Sequence, residues 1–224
     1  MPAQRLEEVG PAGKASAQST SGGELDYGRS IRAAARGLLV GVFDEFEFVD
    51  TMIYTVQRGL TRAFGEGLQK AGVSPADLDT PDYLPERLEL DKLININLGQ
   101  LFSFSGYILQ QRERYVAGEK QAALNAVFNR ALLWSNQYDK ARQLAYAMAS
   151  KDQPQRWVLG PTEHCSSCAT FADRVYRAST WATNGALPKS SRLCCGGYRC
   201  QCMLVPAAGQ RITPGRFPTG ALCK

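Results

Sequence analysis

Histidine is nearly absent from this 224-residue chain: it occurs once, at His164. A single imidazole provisions acid–base catalysis poorly, since histidine is the side chain whose ordinary pKa lies nearest neutral pH. Long apolar runs are missing too. The most apolar extended window, Leu93 to Gln110, is interrupted by Asn95, Asn97, Gln100, Ser103 and Ser105, and the first residues show no basic start followed by an apolar stretch. These absences predict no membrane association, no secretory leader and synthesis in a reducing compartment. Internal repeats are absent, and so is a glycine-rich phosphate loop, because Gly59, Gly65 and Gly67 follow no strand pattern.

Acidic residues are scarce at one end. Residues 151–224 carry 10 Lys/Arg against 3 Asp/Glu, whereas residues 1–150 carry 16 against 18, so the net charge of +5 divides into +7 and −2. Part of that positive field complements any metal–thiolate cluster in the same region. The remainder is a solvated surface or faces nucleic acid or an acidic protein.

What the chain has in excess is cysteine, and in one place. Six of its seven cysteines fall between Cys165 and Cys202, in the runs Cys165-Ser-Ser-Cys168 and Cys194-Cys195-Gly-Gly-Tyr-Arg-Cys200-Gln-Cys202, with His164 beside the first. A pair spaced by two residues places both sulfurs on one side of a tight turn, and a later group completes a tetrahedron around zinc. An odd cysteine count fits a complete intramolecular disulfide framework poorly, which favours bound metal. If residues 198–204 are extended, Cys200 and Cys202 share a face while the adjacent Cys194 and Cys195 diverge. Cys195 is the better ligand of that pair because Gly196 and Gly197 permit a tight loop back to Cys200. The expected set is Cys165, Cys168, Cys195 and Cys200 around one structural Zn²⁺, with Cys202 as the closest substitute. Cys194 and His164 stay open as members.

Upstream, the patterning is helical. Residues 1–24 are rich in Ala, Gly, Ser and Gln and predict a flexible arm, too apolar-poor to offset the entropy of ordering. Residues 25–150 predict three long helices. The first spans Ile31 to Lys70 with a stripe at Val42, Phe46, Val49, Ile53, Val56, Leu60 and Phe64, ended by Gly72. Its stripe looks too long to be satisfied within the chain, which predicts docking or self-association. Ser74 then caps a short turn with Pro75 at its first position. The second helix runs from Pro85 to Val116, with Leu90, Ile94, Leu98, Leu101 and Ile108 inward. The third runs from Glu119 to Ser150, with Leu124, Phe128, Leu132, Tyr138 and Met148 inward. Residues 151–206 turn to short segments, strand-like at Trp157-Val-Leu159 and Met203-Leu-Val205, and residues 207–224 read as a loose tail holding Cys223. The expected fold is therefore mainly α: an elongated helical bundle or hairpin followed by a small α+β cysteine-rich zinc module.

The pattern Thr162-Glu-His-Cys165-Ser-Ser-Cys168, Ser179-Thr-Trp181, Leu187-Pro188 and Leu193-Cys-Cys195-Gly-Gly-Tyr-Arg-Cys200-Gln-Cys202-Met-Leu-Val-Pro206 resembles the tail of phage head morphogenesis proteins. These are minor capsid proteins of the Mu-like and SPP1-like type. The helical part, including Leu60-Thr-Arg-Ala-Phe-Gly-Glu-Gly67 and Trp134, also resembles the region before that tail, so the similarity spans most of Leu38 to Pro206. A histidine common shortly before the final Cys-x-Cys is absent here, and Cys194 is extra. The resemblance implies a structural virion component, made in the host cytoplasm, that associates with portal or capsid proteins. It requires no catalysis, and packaged DNA and a second copy of the chain are further expected contacts. The alternative is a nucleic-acid-binding zinc protein on a helical scaffold, supported by the basic tail and by Trp157, Tyr176, Trp181 and Tyr198. An enzyme is not expected: extra cysteines beside Cys165 and Cys168 favour metal over dithiol redox chemistry, and Glu163 directly precedes His164, unlike the deaminase order.

Overall fold

The computed structural model describes residues 22–150, 153–190, 192–197 and 200–223. The chain is mainly α, with a small antiparallel sheet in its cysteine-rich C-terminal part. The expected arm lies outside the described residues up to Ser21, and Gly22 to Glu24 already belong to the first helix.

Five helices form the body: α1 (Gly22–Val40), α2 (Glu45–Lys70), α3 (Leu84–Leu98), α4 (Leu101–Val116) and α5 (Lys120–Ala149). Two of the three expected helices are thus split. The first breaks at Gly41, whose φ of +81° suits glycine, and restarts at Asp44. There Asp44 Oδ1 accepts from the Glu47 amide at 2.8 Å and Glu47 Oε2 accepts from the Asp44 amide at 3.0 Å, a reciprocal capping box. The restart resets the helical phase. Phe48, Met52, Val56, Leu60, Ala63, Phe64 and Leu68 form the buried face, while Val42 and Phe46 of the expected stripe are 71% and 84% exposed. The second break falls at Gly99 and Gln100, between α3 and α4. Ser74 caps the intervening short 3-10 turn through its side chain, with Pro75 at the first position.

The α5 helix is the strut against which the body packs, and its inner seam is narrower than the sequence pattern implied. Ala123, Val127, Ala131, Trp134, Tyr138, Ala141 and Ala145 are buried, whereas Leu124, Phe128 and Met148 flank them half-buried. Small residues let backbones approach. A Cβ at Gly67 of α2 would lie 2.1 Å from the Arg142 carbonyl oxygen of α5, so glycine is what permits this crossing. Val56, Leu60 and Phe64 are accordingly covered inside the chain and offer nothing to a partner.

The C-terminal part has its own core. The strand β1 (Pro154–Val158) lies between β2 (Val175–Arg177) and β3 (Met203–Pro206), both antiparallel to it, with Gln155 opposite Tyr176 and Trp157 opposite Leu204. Short helices α6 (Ser166–Phe171) and α7 (Ala178–Thr183) complete the fold. Trp157 packs against Phe171 and Trp181 at centroid distances of 5.2 and 5.5 Å, and Trp181 Nε1 donates to the Gln155 carbonyl at 3.0 Å. Trp157, Tyr176 and Trp181 are therefore core residues, not stacking platforms, and Tyr198 lies outside the described residues.

The expected loose tail is packed. Phe217 lies 5.0 to 5.5 Å from the rings of Phe171, Tyr176 and Trp181, and the Thr213 amide donates to the Val175 carbonyl. Cys223 forms a disulfide with Cys194. The reason lies in burial: the aromatic core of so small a module is closed only when Phe217 covers it.

Candidate metal centre

The two-residue-spaced pair is built at a helix start. Cys165 is the residue before α6, extended at φ −74° and ψ 166°, and its carbonyl accepts from the Ala169 amide at 3.0 Å. Cys168 follows on the first turn, which brings the two sulfurs to 3.5 Å. The second group arrives on a glycine turn. Gly196 and Gly197 have φ of +59° and +77°, and a Cβ on Gly197 would stand 2.2 Å from the Lys189 carbonyl oxygen. That turn directs Cys195 toward Cys165 and Cys168 and returns the chain to Cys200, whose Sγ lies 3.8 Å from that of Cys168. Gly160 lets the loop before Cys165 lie against Gln201, because a Cβ there would be 2.4 Å from the Gln201 carbonyl oxygen.

Five sulfurs result, in two groups able to hold a metal ion: Cys165, Cys168 and Cys195, and Cys168, Cys200 and Cys202. Within each group the sulfurs are no more than 4.8 Å apart. A tetrahedral ion with bonds of ~2.3 Å spaces its sulfur corners at about 3.8 Å, so the observed 3.5 and 3.8 Å edges fit such an ion. His164 is exposed and presents Nδ1 at 3.8 Å from Cys202 Sγ. Cys194 turns outward into its disulfide and takes no part in either group.

The clustered thiols shift one another's pKa values. Hydrogen bonding with Cys168 and Cys202 lowers the Cys200 pKa, and hydrogen bonding with Cys200 and Cys202 raises that of Cys168. Burial pushes Cys195 up to about 11. Five crowded sulfurs thus resist joint ionisation until a cation compensates them.

Residues outside the cysteine pattern support the geometry. Ser167 Oγ accepts from the Cys194 amide at 2.9 Å and donates to the Ala221 carbonyl at 2.6 Å, tying α6 to both the second cysteine run and the tail. Its position within Cys-Ser-Ser-Cys was visible, but its partners are 27 and 54 residues away. A cavity of about 520 Å³ separates the cluster from α5, with Lys70, Asp139, Arg142 and Tyr146 on the helical side and Cys200 and Cys202 on the other. Asn136 Nδ2 donates across the same junction to the Gly197 carbonyl at 3.1 Å.

Fold and site define a helical protein carrying a cysteine-rich module able to bind metal. No family model matches this sequence, and comparison with curated proteins and with solved structures likewise finds no match. Among the described residues, no helix is long and apolar enough to cross a membrane.

Proposed function

We propose that the chain is a structural component of a phage head, a minor head protein acting in capsid assembly or portal-proximal morphogenesis, whose cysteine module is held together by zinc. The observation that carries the reading is the convergence of Cys165, Cys168, Cys195, Cys200 and Cys202 beside the bundle, in the spacing that resembles the tails of phage head morphogenesis proteins. Thiolates with borderline-soft ions favour zinc. Its role is structural: metal binding closes a core too small to be stable on apolar burial alone.

Exposed apolar side chains supply the docking face. Phe46 and Phe102 are 84% and 72% exposed, and they border one joint, where Ser105 Oγ donates to Glu45 Oε1 at 2.7 Å. Uncovered aromatics beside a helix joint suit contact with portal or capsid protein. The test is to purify heads and procapsids and locate the chain by mass spectrometry and immunogold labelling. Low copy relative to the major capsid protein, near the portal vertex, is expected. A chain that never copurifies with heads overturns the reading and leaves the nucleic-acid-binding alternative, checked by salt-dependent DNA retention.

A further inference from the structure

We infer that the cysteine module holds two metal ions, not one, with the Cys168 thiolate bridging them; this rests on the zinc–thiolate reading above. The five sulfurs gather three and three about a shared Cys168, rather than four about one point. An ion seated among Cys165, Cys168 and Cys195 leaves Cys200 and Cys202 buried without a cation, and an ion among Cys168, Cys200 and Cys202 strands the other pair. Charge argues the same way. One divalent ion against five thiolates leaves three negative charges in a largely buried cluster, and two leave a single one.

The donors divide accordingly. His164 Nδ1 lies 3.8 Å from Cys202 Sγ but outside the Cys168, Cys200 and Cys202 trio, which supplies its ion with three sulfur donors. Cys165 and Cys195 are half-buried, so the other ion takes its fourth donor from solvent. The ligand class is a borderline-soft d10 divalent cation, zinc or its cadmium substitute.

The experiment counts ions on the full chain, purified reduced and zinc-replete, and then replaces zinc with 113Cd for NMR. Two ions per chain and two cadmium resonances coupled to each other through the shared sulfur are expected. Cys195→Ser should keep one ion and Cys168→Ser should lose both, with helical circular dichroism monitored throughout. One ion per chain overturns the bridged pair and leaves the single-site zinc reading standing. Two resonances without mutual coupling overturn the bridge. No ion at all overturns the zinc reading itself. The wild-type cadmium spectrum decides between these outcomes even if a variant fails to fold.

Discussion

Lys189 Nζ lies 2.7 Å from Asp139 Oδ2, joining the loop before the second cysteine run to the middle of α5. Arg142 pairs with the other carboxylate oxygen, and Glu24 of α1 reaches the same lysine at 3.5 Å. Bundle and cysteine module are thus held by a charge network that is largely out of water as well as by packing, since Ala147 of α5 belongs to the module's core and Leu144 packs against it.

Breaking that network should loosen the module from α5. Burial alone would raise the Asp139 pKa, but the Lys189 ammonium and Arg142 guanidinium outweigh it and hold the carboxyl below its usual range. A depressed folded pKa contributes stability above the unfolded value of about 3.9, and that contribution is lost as pH falls through the folded pKa. Asp139→Asn should therefore cost about 3 kcal/mol at neutral pH, with Arg142 losing its carboxylate partner and Lys189 keeping only the longer pair with Glu24. Thermal unfolding at pH 7 and pH 3 checks this: the gap between wild type and variant should narrow in acid.

A second prediction sets packing against helix propensity. Gly67→Ala would gain about 1 kcal/mol on propensity alone, yet its Cβ would meet the Arg142 carbonyl at 2.1 Å and the Ala145 Cβ at 2.7 Å. The expected outcome is a net loss of about 1–3 kcal/mol in urea unfolding. Gly106→Ala, in α4 with nothing within 4 Å of the new Cβ, is the control and should gain roughly 0.5–1 kcal/mol. Equal effects at the two sites would refute the close crossing.

The contrast between these glycines shows where the sequence was legible. Helix existence followed from periodicity, and the mainly α fold with a small cysteine module was readable. The buried face of α2 was not, because Asp44 and Glu47 restart the helix and shift its phase, so Phe48 goes inside where Phe46 was expected. Alanines on α5 carry little apolar signal although they line its seam. In the module, Cys165 and Cys168 were visible as a pair and the glycine turn after Cys195 was readable. The partition of five sulfurs about Cys168, the short strand β2 and the partnership of Cys194 with Cys223 depend on contacts distant in sequence.

That disulfide yields a third prediction. Cys223→Ser should leave metal content unchanged, since Cys194 and Cys223 stand outside both sulfur groups. It should nevertheless destabilise the module by about 2–4 kcal/mol, because the bridge closes a loop across a separation of 29 residues. Faster amide exchange at residues 213–223, where Thr213 and Phe217 pack on β2 and Trp181, is the signature to measure. Loss of metal in this variant would place Cys223 in the cluster instead.

Removing the metal is the fourth. Chelation at neutral pH should release ions whose binding supplies on the order of 10 kcal/mol to a small module. Trp157 and Trp181 sit in that module's core, so near-ultraviolet dichroism should collapse. Far-ultraviolet helicity should largely survive, since among the described residues both metal-binding groups lie in the cysteine module and none in the core of α1 to α4 with Val127, Trp134 and Tyr138. Full loss of helicity would mean that the bundle depends on the module for its fold.

The last prediction separates docking from folding. Phe46 and Phe102 face solvent, so Phe46→Glu with Phe102→Glu should change unfolding free energy by no more than roughly 0.5 kcal/mol per site. Phe48, two residues from Phe46, is fully buried and lies 5.8 Å from the Phe104 ring, so Phe48→Glu should unfold the bundle. If the exposed pair is the face that meets portal or capsid protein, the folded double variant should be missing from purified heads although it accumulates in the cell. Incorporation at wild-type levels would exclude this face as the docking surface. A defect confined to Phe48→Glu would show that incorporation needs only a folded bundle, because the two aromatic positions then differ in burial alone and not in any contact with a partner.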